Sequence, residues 1–131
     1  RTFEPDAEVH ARGALVFSRT CIACHGVDGK GLALAFPPLD GSSWLTGNPQ
    51  RPMDIVMGGL IGKITVGSQE FNAVMPPLGP SLTDQEIADV LTYVRQRWSN
   101  DAAAVTAEQV AKRREATKER TGLWTAEELG K

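Results

Sequence analysis

The sequence predicts an all-α domain with one small β-hairpin and a helical extension at its C-terminal end. Three patterns predict it. Thr83-Asp84-Gln85-Glu86 is a capping box followed by an amphipathic stripe, a second helical stretch lies near the N-terminus, and two short β-prone segments flank Gly67-Ser68. The chain has 131 residues, of which 41% are hydrophobic, with 14 Lys+Arg against 16 Asp+Glu. One domain of this size buries only about 60–70% of the surface its unfolded chain exposes, so an unaided core is thin. A formal charge of −2 with no block of like sign excludes nucleic acid and anionic membrane as main partners. No apolar run approaches the roughly 18 residues of a membrane span. The chain opens at Arg1 with neither an initiator Met nor a signal-peptide pattern, and so reads as a mature or excised segment.

Taken in order, the first helix is expected from about Asp6 to Thr20, carrying Val9, Gly13, Leu15, Val16 and Phe17. Gly13 costs such a helix about 1 kcal/mol of propensity, which a close crossing by another helix would explain. Gly26, Gly29 and Gly31 bracket a loop, and Pro37-Pro38-Leu39-Asp40-Gly41 forms another. These glycines follow no strand and open no helix, so they fail the context test for a phosphate loop. Pro52 to Met57 reads as a short helix with proline near its start, ended by Gly58-Gly59. Lys63-Ile64-Thr65-Val66 and Gln69-Glu70-Phe71 around Gly67-Ser68 suit a hairpin with a type II′ turn. After the capping box, Ile87, Val90, Leu91, Val94 and Trp98 follow at i, i+3, i+4, i+7 and i+11, bordered by Tyr93. Residues 1–99 are expected to form the domain and 100–131 the extension. Two further capping boxes, Thr106 to Gln109 and Thr125 to Glu128, pattern the extension as helix, and Val110, Leu123, Trp124 and Leu129 need burial on this domain or on a partner.

The chemistry lies in Cys21-Ile22-Ala23-Cys24-His25, which holds both cysteines of the chain. Two Cys three apart followed at once by His can form thioether links to a haem while the imidazole reaches the iron. One helical turn brings both sulfurs to one edge of the porphyrin. A zinc site would need a second pair of ligands beyond these and the distant His10. A thioredoxin-like pair would accompany a βαβ pattern, and a plain disulfide leaves His25 without a role. For the other face of the iron the candidates are His10, Met53, Met57 and Met75. His10 precedes His25 by only fifteen residues, and Met53 and Met57 share one helix face that reads as core packing. Met75 fits best: in Asn72-Ala73-Val74-Met75-Pro76-Pro77 two prolines forbid helix, and the loop falls fifty residues after His25.

On Gly13 and Phe17, the Cys21 to His25 motif, Pro37 to Gly41, Met75-Pro76 and the last helix through Tyr93, the chain resembles a class I c-type cytochrome of bacterial type over about residues 6–99. The resemblance implies one haem c held by Cys21 and Cys24, with His25 the proximal ligand and Met75 the distal one. It implies that the Pro37 carbonyl accepts the His25 Nδ1–H and that Trp44 and Arg51 reach the propionates. Leu39, Met57 and Phe71 complete the cofactor-binding set expected. The Lys63 to Pro77 segment is similar to cytochromes attached to periplasmic quinoprotein dehydrogenases and other respiratory enzymes.

The expected function is therefore one-electron transfer without catalysis, between a dehydrogenase donor and an oxidase or reductase acceptor, in the periplasm or another translocated compartment, with a membrane tether possible in the full-length protein. A relay domain of a larger enzyme is the alternative, and a five-coordinate haem enzyme or gas sensor is a third. Residues 1–100 carry 8 basic and 10 acidic side chains, so no lysine ring is evident and docking is expected to be mostly apolar.

Overall fold

A computed structural model of the chain describes residues 1–130; Lys131, the last residue of the expected extension, lies outside the described residues. The helices are α1 (Ala7–Thr20), α2 (Ile22–His25), α3 (Ser43–Thr46), α4 (Gln50–Gly58), α5 (Asp84–Gln96) and α6 (Ala107–Ala116), and β1 (Ile64–Val66) and β2 (Gln69–Phe71) lie between α4 and α5.

Asp6 starts α1 by accepting from the Glu8 and Val9 amides. Gly13, Val16 and Phe17 are buried, whereas Leu15 is 67% exposed. Two residues beyond Gly13, its side chain is rotated about 200° from the packed face. The expected capping box of α5 is formed in both directions between Thr83 and Glu86. Ile87, Val90, Leu91 and Val94 are buried in the main core with Val16 and Phe17. Trp98 departs from the expected stripe. The helix stops at Gln96, and Trp98 takes a left-handed φ of 56° that lays its ring against Phe17, with centroids 5.7 Å apart.

α1 crosses α5 at Gly13. A Cβ there would sit 2.6 Å from Tyr93 Cβ and closer still to the Asp89 carbonyl oxygen, so the missing side chain lets the two backbones touch. Arg12 and Asp89 tie the crossing at 2.8 Å.

The hairpin is antiparallel, with Val66 opposite Gln69 and Ile64 opposite Phe71. Gly67 has φ 62° and Ser68 is not left-handed, as the type II′ turn requires. Ile64, Val66 and Phe71 point into a second core with Trp44, Ile55 and Leu60. In α4, Pro52 falls in the first turn, where its missing N–H costs no helical bond, and Gly59 closes the helix at φ 79°.

Residues 100–130 pack on the rest of the chain. Val105 exchanges hydrogen bonds with the Thr92 hydroxyl at 2.9 and 3.1 Å, and Val110 of α6 is wholly buried against the main core. Thr106 and Gln109 form their capping box. The box at Thr125 and Glu128 also forms, but it closes only a turn rather than the expected helix, since Gly130 follows in a left-handed conformation.

Asp54 of α4, almost fully buried, receives two bonds from Arg113 of α6 at 2.6 and 2.9 Å. Removing Arg113 strands a buried carboxylate. Because the Arg113 side chain is 23% exposed, the loss falls below the full cost of breaking a buried pair. Arg113→Ala is expected to cost about 2 kcal/mol, or roughly 6–10 °C in Tm by thermal circular dichroism. Adding Asp54→Asn should recover part of it, and a shift under about 1 °C would deny the pair any structural weight.

Candidate cofactor site

α1 runs directly into the one-turn α2. The Cys21 amide still donates to the Phe17 carbonyl at 2.9 Å, and the His25 amide donates to Cys21 at 3.0 Å. One helical path thus presents Cys21, Cys24 and His25 to the wall of a large cavity between the two cores. The cysteines are not joined to each other. Burial, with a smaller contribution from Cys24, pushes the Cys21 thiol up to about 11.

His25 Nδ1 lies 3.0 Å from the Pro37 carbonyl oxygen. A carbonyl only accepts, so Nδ1 carries the proton and Nε2 keeps its lone pair for a metal. Burial lowers the imidazole pKa, opposed by this hydrogen bond, and favours the neutral ligating form. The loop that supplies Pro37 is tied at several points. Gly31, at φ 67°, donates to the His25 carbonyl at 2.8 Å, and a Cβ on it would meet the Pro37 carbonyl carbon at 2.7 Å. From the segment that follows α5, Asn100 donates to the Leu39 carbonyl at 3.1 Å and accepts from the Gly41 amide at 2.8 Å.

Met75 reaches the same cavity from the segment after β2. Its backbone is paired with Leu60 in both directions, at 2.9 and 3.0 Å. Leu39, Trp44 and Phe71 also line the cavity.

Two expected contacts are placed elsewhere. Met57 is buried in the main core and does not line the cavity, because α4 turns Ile55 and Val56 toward it instead. Arg51 is not on the wall either; its Nε–H donates to the Leu129 carbonyl at 3.1 Å. The Trp44 ring lines the cavity, but its indole N–H donates to the Thr65 carbonyl at 2.9 Å, toward the hairpin. Of the other ligand candidates, Met53 is core, and His10 lies 2.9 Å from Gln96 Oε1 with its ring edge on Tyr93. Among the described residues no group of three or more His, Cys, Asp or Glu is placed to hold a metal ion, which leaves the zinc reading without ligands.

Sequence reasoning missed much of the apolar wall. Leu60, Ile64 and Val66 line it from one side, Val90, Leu91 and Val94 from another. The alternation in β1 and the stripe of α5 marked these residues as inward, but inward toward a core and not a cavity. The wall therefore offers two thiols, one neutral imidazole and one thioether, and the hydroxyls of Thr20 and Ser42 are the other polar side chains on it. That donor set inside an apolar enclosure fits an iron porphyrin.

The family model for cytochrome c matches residues 10–98. The chain belongs to the cytochrome c family. As a cytochrome c it binds haem c covalently through Cys21 and Cys24 and carries electrons. It is 38% identical over 106 residues to the cytochrome c subunit of a quinone alcohol dehydrogenase from Gluconacetobacter polyoxogenes, covering 79% of this chain and 22% of that subunit. A gluconate 2-dehydrogenase cytochrome c subunit from Pantoea cypripedii is 36% identical over 76% of this chain and 23% of its own length. Cytochrome c-552 of Thermus thermophilus is 36% identical over 82% of this chain and 78% of its own. The chain thus spans less than a quarter of the dehydrogenase subunits it matches. Among the described residues no helix is long and apolar enough to cross a membrane.

Proposed function

We propose that this cytochrome c holds its iron between His25 and Met75 and relays single electrons from a dehydrogenase to an oxidase or reductase on the translocated side of the energy-conserving membrane. The observation that carries the reading is that both side chains, supplied by separate segments, line the one apolar cavity that also receives the two cysteines. When bound, the haem supplies a one-electron couple at its iron. The chain's own residues decide how that couple is used. Pro37 fixes the His25 tautomer and raises its basicity as a ligand. The Met75 thioether favours the ferrous state, and the apolar wall disfavours the extra charge of the ferric one, so both push the potential up. With His25 and Met75 both committed to holding the group, no position would be left open for a guest.

Electrons are proposed to pass beside Ala23, Cys24 and Val74, which are exposed, so a brief and small contact suffices. The dehydrogenase subunits among the relatives support a relay domain of a larger protein. The 78% coverage of cytochrome c-552 supports a free-standing carrier.

Carbon monoxide tests the ligation. Mixed with the reduced wild-type protein in a stopped-flow spectrometer, it is expected to bind slowly or incompletely, limited by displacement of Met75. Rapid stoichiometric binding would mean an open iron position and would favour the enzyme or sensor reading.

A further inference from the structure

We propose that the C-terminal segment 123–129 is a strap that positions Met75 through Leu60, with Trp124 as its positioning residue. The proposal rests on the reading of Met75 as the axial ligand. Leu60 is the middle member of a three-stranded contact. On one side it exchanges two backbone hydrogen bonds with Met75, and on the other it forms a parallel bridge to Trp124. In that bridge the Trp124 amide donates to the Gly59 carbonyl at 3.0 Å and the Ile61 amide donates to the Trp124 carbonyl at 2.9 Å.

The side chains repeat the arrangement. Gly59 is pressed between the two segments, since a Cβ there would lie 2.7 Å from the Met75 carbonyl oxygen, 3.0 Å from Pro77 N and 3.1 Å from Leu123 Cγ. Gly58 is covered by the Trp124 indole, whose Nε1 would be 2.6 Å from an added Cβ. Met75, Trp124, Ala126 and Leu129 all pack on the second core. The indole is held from outside by Arg120, whose guanidinium lies 3.7 Å from the ring centroid and pairs with Glu128 at 2.8 Å.

Without the strap, the Gly59 carbonyl and the Ile61 amide lose their partners and the Trp124 and Leu123 cover over Gly58 and Gly59 is gone, so that Met75 is anchored to a segment held from one side only. A ligand loop anchored so loosely spends more time detached, and an added ligand that competes for the iron binds more tightly in proportion.

The test is the affinity of the oxidised holoprotein for imidazole, followed by its absorbance spectrum, with Tm measured in parallel. Trp124→Ala is expected to bind imidazole on the order of tenfold more tightly than wild type, and a chain ending at Gly122 more tightly still. Trp124→Phe, which keeps an aromatic cover on Gly58, should stay close to wild type. Val110→Ala, a core cavity in α6 away from Leu60, should lower Tm without changing the affinity. If Trp124→Ala behaves like Val110→Ala, the segment only adds stability and the strap is overturned. Should the shortened chain fail to accumulate, Arg120→Ala takes its place with an intermediate gain, and wild-type affinity there together with Trp124→Ala at wild-type affinity also overturns it. Met75→Ala separates the two readings: if that variant binds imidazole no more tightly than wild type, the ligand assignment has failed, not the strap.

Discussion

Met75→Ala is expected to abolish the near-infrared sulfur-to-iron band of the oxidised protein and to lower the reduction potential by about 0.1 V or more, within the roughly 0.8 V that axial ligands span. The thioether is a soft donor that stabilises ferrous over ferric iron, and alanine leaves that position to water or an added ligand. The backbone of the ligand loop should survive the change, because its two hydrogen bonds to Leu60 involve no side chain. Loss of the band with a retained fold, seen by far-ultraviolet circular dichroism, is therefore the expected pair of results. An unchanged spectrum would remove Met75 from the iron and return the question to the other methionines.

Gly13→Ala should destabilise the protein, although the same exchange in an open helix stabilises it. Helix propensity favours alanine by about 1 kcal/mol. Against this, the new methyl would stand 2.6 Å from Tyr93 Cβ and nearer still to backbone of α5. Backbone within a helix cannot swing aside as a side-chain tip can, so α1 and α5 must separate along their whole contact. Overpacking of this kind costs about 1–3 kcal/mol and occasionally more, and at a backbone-to-backbone contact we expect the upper end. The net result is a loss of roughly 2 kcal/mol for alanine and a larger one for Gly13→Val. Chemical denaturation of the holoprotein measures both. A rise in stability for Gly13→Ala would show that the helices do not touch there.

Local signals were legible wherever one short stretch determines its own geometry. The capping boxes at Thr83 and Thr106 and the Gly67 turn are found where the sequence places them, and the Pro37 carbonyl meets His25 as the family resemblance implies. The placements that local pattern leaves open share one trait, namely that distant chain decides them. Leu15 is apolar and helical yet faces water, because only the crossing with α5 says which side of α1 is inside. Met57 belongs to the cofactor-binding set expected from the resemblance, yet α4 rotates it into the main core. The Trp44 indole N–H meets the hairpin carbonyl of Thr65 and the Arg51 Nε–H the tail carbonyl of Leu129, partners tens of residues away that no local pattern names. Trp98 continues a helical period by sequence while the chain has already left the helix.

The sequence by itself determined the chemistry: two thiols and an imidazole within five residues are covalently bound to be neighbours, and no folding event can part them. It also determined the helix starts and the hairpin turn, since capping and turn formation depend on side chains within three or four residues. Only the tertiary structure decided that Met75 and His25 share one cavity, that its wall is built from α5 and the hairpin, and that the C-terminal segment lies behind Leu60. Those are contacts between residues tens of positions apart, whose energy comes from burying surfaces against each other. A pattern of apolar residues states that a face must be covered, but not by what.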